Sequence, residues 1–272
     1  MKSLVRLAAA LALSLVVLAS VEPVAVHAQT APTATSEVSR LDAILARGSL
    51  RIGTTGDYRP FSYLDKATGT YQGYDIDVGE ALAGALGVKA EFVATSWPKM
   101  MEDFSADKFD IAMGGVSITL PRQKKGYFST PIMREGKTPI ARCADHTKFQ
   151  TVADLNQPST HAVVNPGGTN EAFARANFPN ADIRVYADNT KIFDEIAAGK
   201  ADVMVTDSSE TLYQQKLHAG VLCSIHPDKP FDFAEKAYWM QRDVALKAFV
   251  DQFLHISAET GKTKAIYAKW FE

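Results

Sequence analysis

FSADKFDIAMGG (residues 104–115) and IAAGKADVMVTD (residues 196–207) follow one pattern: a helix end, a Lys, one residue, an Asp, an apolar strand and a polar turn. The two Lys residues, Lys108 and Lys200, stand 92 positions apart. Short apolar strands and amphipathic helices alternate outward from both copies. Strands are predicted over 49–53, 91–94 and 110–113, then 138–142, 162–164, 183–186 and 202–205. Between them lie helical patterns over 75–86, 98–106, 152–155, 170–177, 191–198 and 209–217. Strands separated by helices predict α/β architecture with parallel-type sheets covered on both faces. The internal echo predicts two similar lobes: lobe 1 from 38–136 plus 236–272, lobe 2 from 137–235. The chain would then cross between lobes near Lys137 and near Glu235. Ligands of open α/β sheets bind beyond the carboxyl ends of strands. Gly114-Gly115 and Thr206-Asp207 occupy that position, so the lobes are expected to face one another across a hinged cleft.

The 272-residue chain is 46% hydrophobic and 22% charged, an ordinary globular balance that excludes disordered and low-complexity classes. Its 29 Lys+Arg against 31 Asp+Glu leave −2, so there is no basic excess for nucleic acid. Lys2 and Arg6 precede the apolar run 7–20, Pro23 breaks it, and Val26-His27-Ala28 offers small residues at a cleavage site. Residues 1–28 therefore read as a secretory signal peptide. The apolar run is shorter than the ~20 residues a bilayer requires, so no membrane anchor is expected. The Ala-, Thr- and Pro-rich segment 29–38 reads as a tether. Export to an oxidising periplasm favours a disulfide between Cys143 and Cys223, 80 positions apart. The alternative, a nucleophilic Cys, has no His placed to activate it. A homo-oligomer is compatible with the composition.

Three segments carry candidate ligand chemistry. GGVSITLPRQKK (114–125) follows a strand: Gly114 and Gly115 offer backbone amides, Ser117 and Thr119 hydroxyls, and Arg122 a planar fork suited to a carboxylate. NPGGTNE (165–171) opens a helix, where Thr169 or Asn170 can cap and the amides can attract an anion. Glu171 in that first turn also suits ordinary complementation of the helix dipole. TTGDYRPFSY (54–63) supplies Tyr58, Phe61 and Tyr63, with Trp97 as a second aromatic, for a flat ligand wall. The G-x-S-x-G, G-x-G-x-x-G, P-loop and H-E-x-x-H patterns do not occur, and the His residues are scattered. No metal or cofactor is indicated.

Together these residues resemble the type 2 periplasmic solute-binding proteins over essentially the whole chain after residue 28. GVSIT–PR with Arg122, the GGTNE turn, ADVMVTD with Asp207, and ALKAFVDQFLHISAETGKTKAIYAKWF carry the match. The resemblance implies that Arg122 binds a ligand carboxylate, that Asp207 holds an α-ammonium, and that aromatics from the Tyr58 segment stack on the ligand. Within that superfamily, TTGDYRPFSY, TSWPKMM, MGGVSITLPRQKK, GKTPI, NPGGTNEAFARANF and PFDFAEKAYWM look like the cyclohexadienyl dehydratases. Those exported enzymes convert prephenate to phenylpyruvate and arogenate to phenylalanine. Carried over by motif, Glu171 is the general acid and Arg122 anchors the side-chain carboxylate. The two Cys residues also stand where that family's pair is expected.

The reaction aromatises a ring, which needs no metal, flavin or nicotinamide but does need one acid to protonate the departing hydroxyl. A helix N-terminus lowers a carboxyl pKa, whereas an acid at neutral pH needs it raised. Glu171 is therefore expected to face the cleft and to be buried once the lobes close. The rival expectation keeps the fold and the small-molecule carboxylate ligand but makes the protein an amino-acid-binding component of a transporter, with Asp207 pairing the ligand's ammonium.

Overall fold

Strand Ser49–Thr54 is buried at five of its six positions, because parallel strands flank it and both faces of its sheet are covered. The computed structural model describes residues 38–272, and the expected leader and most of the tether lie outside them. The strand order of the first sheet is Lys89–Ala94, Ser49–Thr54, Ile111–Ala112, Trp239–Met240, Tyr127–Phe128. Leu50, Ile52, Val78, Leu82, Leu246 and Val250 build the core of one face. Phe104, Phe109, Phe128 and Trp239 build the other, with Phe104 and Trp239 stacked at 3.6 Å between ring centroids. Helix Tyr74–Ala85 starts from Gly73, whose φ of 137° only glycine adopts readily and whose Cβ would lie 2.3 Å from the Phe61 carbonyl.

The second sheet runs Asp182–Val185, His161–Val164, Val203–Asp207, Lys137–Arg142, Leu222–Ser224. Helix Gly168–Asn177 covers one face through Ala174, and helix Ile192–Ala197 covers the other through Ile192 and Ile196. The echo found in sequence thus maps to equivalent places: Ile111–Ala112 is central in one sheet and Val203–Asp207 in the other.

Both five-stranded sheets are mixed rather than wholly parallel. The strands Met133–Glu135 and Ala234–Lys236 pair antiparallel and carry the chain from the first sheet to the second and back. Each is followed by a strand that enters its sheet against its neighbours: Lys137–Arg142 beside Val203–Asp207, and Trp239–Met240 beside Ile111–Ala112. The C-terminal helix Lys262–Phe271 returns to the first part of the chain, where Lys269 Nζ and Trp270 Nε1 donate to Asp77 Oδ2 at 2.7 and 2.8 Å.

Cys143 and Cys223 form a disulfide with their Cα atoms 4.8 Å apart, tying the end of Lys137–Arg142 to the edge strand Leu222–Ser224. On the chain-entropy model a loop of this length contributes about 4 kcal/mol. Reduction is expected to lower Tm by roughly 10 °C. Thermal melts with and without reductant test this, and coincident transitions would show that the strand pairing alone holds this edge.

Candidate functional site

Asp207, the last residue of its strand, is opposite Lys137 in the antiparallel register, so their side chains share one face. Lys137 Nζ donates to Asp207 Oδ1 at 2.6 Å. Lys236 Nζ, from the returning ribbon strand, donates to Asp207 Oδ2 at 2.7 Å, to the Gly115 carbonyl at 2.9 Å, and pairs with Glu135 Oε1 at 3.0 Å. Tyr58 Oη completes the cluster from the small sheet Asp57–Tyr58, Ser62–Asp65, Thr70–Gln72, donating to Asp207 Oδ2 at 2.6 Å. All these side chains are buried. Burial opposes the charge on Asp207, but the two ammonium groups outweigh it and hold the carboxyl well below its usual range. The same carboxylate, with Glu135, holds the buried Lys236 firmly protonated. Gly115 lets this contact form, since a Cβ there would lie 2.5 Å from the Tyr58 ring.

Asn170 connects this cluster to the helix that opens at Gly168. Its Nδ2 donates to Asn165 Oδ1 at 3.1 Å and to Thr206 Oγ1 at 2.9 Å, which turns its Oδ1 toward Lys137 Nζ. Lys137 Nζ also donates to Thr169 Oγ1 at 2.9 Å. Neither Thr169 nor Asn170 caps the helix as one reading of the motif had it: Gly167 is the N-cap and the two side chains serve the cleft. Thr206 Oγ1 in turn donates to Glu210 Oε2 at 2.6 Å. Burial, reinforced by Asp207, pushes the Glu210 carboxyl up to about 8. A carboxyl whose folded pKa exceeds its unfolded value loses stability as pH rises between the two, here from about 4.3 to 8. Glu210→Gln is therefore expected to raise Tm by roughly 5 °C at pH 9 and to leave it nearly unchanged at pH 4. Parallel melts at the two pH values check the sign.

Beyond Ser117, Thr119 caps the short helix Leu120–Gln123 by accepting from the Arg122 amide, and the Arg122 side chain is buried. Arg122 is 6% exposed, and its Nη1 donates to the Ser117 carbonyl at 2.8 Å. Among the described residues, no carboxylate pairs with it directly: burial pulls its pKa down to about 10, and only the charge of Asp207 acts against that shift. Gly114 and Gly115 do not offer their amides to a ligand. Both donate to Asp75 Oδ2, at 2.9 and 2.6 Å, and Tyr238 Oη donates to the other oxygen at 2.9 Å. Desolvation still raises Asp75 to about 6. Gly115 lines the slot, but its amide, like that of Gly114, is taken by Asp75, so the double glycine shapes the turn without offering these donors.

Tyr58, Trp97, Ser117, Gly168, Thr169 and Asp207 are among the residues lining a slot between these walls, with room for about one water molecule. Trp97 meets the Tyr58 ring edge-on and donates from Nε1 to Asp57 Oδ1 at 3.0 Å. Admission of a ring-bearing ligand therefore requires the walls to part. Larger cavities of about 260 to 380 Å³ lie elsewhere on the surface; Arg122 lines neither these nor the slot, which it reaches only through its hydrogen bond to the Ser117 carbonyl. No group of three or more His, Cys, Asp or Glu among the described residues is arranged to hold a metal ion.

Glu171 departs from expectation. Its side chain is 21% exposed, its Oε2 accepts from the Gly167 amide at 2.6 Å, and its Oε1 pairs with Arg175 at 2.7 Å. The Gly167 amide, followed by Arg175, lowers its pKa instead of burial raising it. In this arrangement the helix start and the i,i+4 partner win over desolvation. Thr119, as a helix cap, also lies off the slot. Sequence reasoning missed Lys137, Lys236 and Glu135 as members of the site. Their one signal was placement at both presumed crossings between lobes.

Residues 50–272 match the model of the bacterial extracellular solute-binding proteins, family 3. The chain is 52% identical over 237 residues to a Pseudomonas aeruginosa protein named cyclohexadienyl dehydratase, spanning 87% of this chain and 88% of that one. Among solved structures, it is similar to an ancestral amino-acid-binding protein described as a precursor of cyclohexadienyl dehydratase. The TM-score is 0.79 at 38% identity, covering 86% of this chain and all of that one. An ancestral cyclohexadienyl dehydratase is 51% identical with a TM-score of 0.54, covering 86% and 97% of the two chains. No described helix is long and apolar enough to cross a membrane. The chain belongs to family 3 of the bacterial extracellular solute-binding proteins, with the two-lobed type 2 fold.

Proposed function

We propose that this chain is a periplasmic cyclohexadienyl dehydratase, a carbon–oxygen lyase that converts prephenate to phenylpyruvate and arogenate to phenylalanine. The observation that carries the reading is the buried Arg122, a guanidinium without a carboxylate of its own that is hydrogen-bonded to Ser117, a lining residue of the slot walled by Tyr58 and Trp97. A buried cation kept without a partner calls for an anionic ligand. The 52% identity to a protein of that name supports the choice of reaction.

In this reading Arg122 binds the side-chain carboxylate, Tyr58 and Trp97 flank the ring, and Ser117, Thr169 and Asn170 line the remaining walls. Glu171 protonates the ring hydroxyl, which leaves as water. The ring carboxylate leaves as carbon dioxide, and its electron pair completes the aromatic ring. One proton is consumed per turnover, and Glu171 regains it from solvent. Lobe 1 is 38–136 plus 236–272 and lobe 2 is 137–235, hinged at the paired strands Met133–Glu135 and Ala234–Lys236. Residues 1–28 direct export.

The test is turnover by the exported protein: prephenate at neutral pH, with phenylpyruvate measured above the spontaneous acid-catalysed reaction. Absence of product from prephenate and from arogenate would leave amino-acid binding as the function. The similarity to an ancestral amino-acid-binding protein is what favours that second reading.

A further inference from the structure

We propose that Asp75, a carboxylate that does not itself line the slot, is a positioning residue of this cleft: through the Gly114–Gly115 turn it sets the places of Lys236, Ser117 and Arg122. The inference rests on the dehydratase reading for its kinetic readout, while its structural basis is the turn itself.

Asp75 is the second residue of helix Tyr74–Ala85 and is fully buried. Its backbone is fixed, because the Tyr74 and Asp75 amides donate to the Pro60 and Phe61 carbonyls at 2.9 and 3.0 Å. Its Oδ2 accepts from two successive amides, those of Gly114 and Gly115, and its Oδ1 accepts from Tyr238 Oη. Successive amides that converge on one point form a concavity suited to negative charge. The turn that aims them has φ of 129° at Gly114 and 77° at Gly115, a conformation open to glycine and strained for other residues.

The two segments that Asp75 ties together both reach the slot. The Gly115 carbonyl accepts from Lys236 Nζ at 2.9 Å, and Lys236 reaches Asp207. Ser117 pairs antiparallel with Lys236. On either side of that bridge, the Ala237 amide donates to the Val116 carbonyl at 3.1 Å and the Ile118 amide to the Glu235 carbonyl at 2.8 Å. Arg122 in turn donates to the Ser117 carbonyl. Tyr238, two residues beyond Lys236, brings the returning segment back to Asp75. One carboxylate therefore clamps residues 114–117 to residues 236–238, and that clamp places both the Lys236 and the Arg122 cation.

The groups facing this carboxyl are the Lys236 ammonium and Tyr238 phenol from the returning segment, and the Tyr74 phenol from its own helix. The Gly114–Gly115 turn and the Pro60–Phe61 segment bring no titratable side chain. Burial raises the carboxyl to about 6, against the hydrogen bonds of Gly115, Tyr238 and Gly114 and the weaker attraction of Lys236. Replacing the carboxylate therefore acts through the turn more than through the charge of the cleft. A folded pKa above the unfolded one means that stability falls as pH rises from about 4 to about 6 and stays lower at pH 7. An acid retained at that cost, where an amide would fit, serves the site rather than the fold.

The experiment measures kcat/KM for prephenate from pH 5 to 8 in the wild type, Asp75→Asn and Tyr238→Phe, with melting curves and amide NMR spectra alongside. Asn keeps an oxygen for the two glycine amides and an amide donor for Tyr238 Oη, so its Tm at pH 7 is expected to equal or exceed that of the wild type. The ratio of wild type to Asp75→Asn is expected to be about tenfold or more at pH 8 and to shrink toward one at pH 5, where both side chains are neutral. This ratio cancels any slope the two proteins share, including that of the proton donor. Tyr238→Phe removes a hydrogen bond from the carboxylate and raises its pKa further, so the wild type should exceed it by a factor that grows severalfold as pH falls from 8 to 5. In the wild type the Gly114, Gly115 and Ser117 amide signals are expected to shift together with a midpoint of about 6, and in Asp75→Asn to stay level across that range. A ratio to Asp75→Asn near one at pH 8, a ratio that does not change with pH, or glycine signals without that midpoint overturns the proposal. Should Asp75→Asn fail to fold, the trend in Tyr238→Phe and the wild-type spectra decide. If neither prephenate nor arogenate is turned over, the dehydratase reading fails, and the shared titration of Gly115 and Ser117 alone decides whether Asp75 governs the cleft.

Discussion

Glu171→Gln is expected to reduce kcat on prephenate by about 10²–10⁴-fold, the range over which a single general acid acts, with the fold unchanged. Gln can still accept from the Gly167 amide, so the turn survives. The lost ion pair with Arg175 is partly exposed and is worth only about 0.3–0.5 kcal/mol. In the ligand-free arrangement the Gly167 amide and Arg175 hold Glu171 ionised, so the proposed general acid would have to acquire its proton as the substrate enters. A dianion whose ring carboxylate takes the amides of the Gly167–Gly168 turn would displace the Glu171 carboxylate from its strongest stabilising contact and set a negative charge beside it. Both changes raise the pKa. A pH signature follows. The free-enzyme pKa is lowered, and the protonated form disappears as pH rises through it. kcat/KM should therefore fall by about tenfold per unit across neutral pH, while kcat stays level until the higher pKa of the complex is reached. Full activity in Glu171→Gln, or a kcat/KM that is flat from pH 6 to 8, would remove Glu171 from the reaction.

Most of the scaffold was legible because its elements follow local rules. The helix Tyr74–Ala85 shows apolar residues at helical spacing, and the strands Ser49–Thr54 and His161–Val164 show short apolar runs bounded by turns. The antiparallel members were not legible as such. Trp239–Met240 is two residues long, and nothing in its composition tells which way it runs between its neighbours. In the site, Arg122, Tyr58 and Asp207 stood out by residue type next to strand ends. Lys137 did not, because its meeting with Asp207 depends on a register set 70 positions later. The Gly114-Gly115 amides invited a ligand in the sequence, yet Asp75, on a helix 39 positions earlier, takes them. Glu171 shows the same limit. Its motif position was readable, but whether burial or Arg175 would dominate its pKa depends on side-chain packing, which spacing does not encode.

Arg122→Met is expected to raise KM for prephenate by roughly 100-fold or more while making the protein more stable, not less. Truncating a buried ion pair usually strands the surviving charge and costs about 3–5 kcal/mol. Arg122 has no such partner: its guanidinium is buried against the Ser117 carbonyl, and desolvation pulls its pKa from 12.5 to about 10. That shift corresponds to about 3 kcal/mol of unfavourable burial. Losing the hydrogen bond to Ser117 gives back about 1 kcal/mol of it. The balance favours the apolar side chain by about 1–2 kcal/mol, a rise in Tm of a few degrees. A binding residue should show this opposition of stability and affinity, since its fit is completed by the ligand and not by the fold. Arg122→Lys should recover little of the affinity, because a point charge does not reproduce the planar fork that grips both carboxylate oxygens. Melting curves with and without substrate separate the outcomes. If Arg122→Met melts lower and keeps its KM, Arg122 is a tie for the Ser117 turn, and the anion must be bound elsewhere in the cleft.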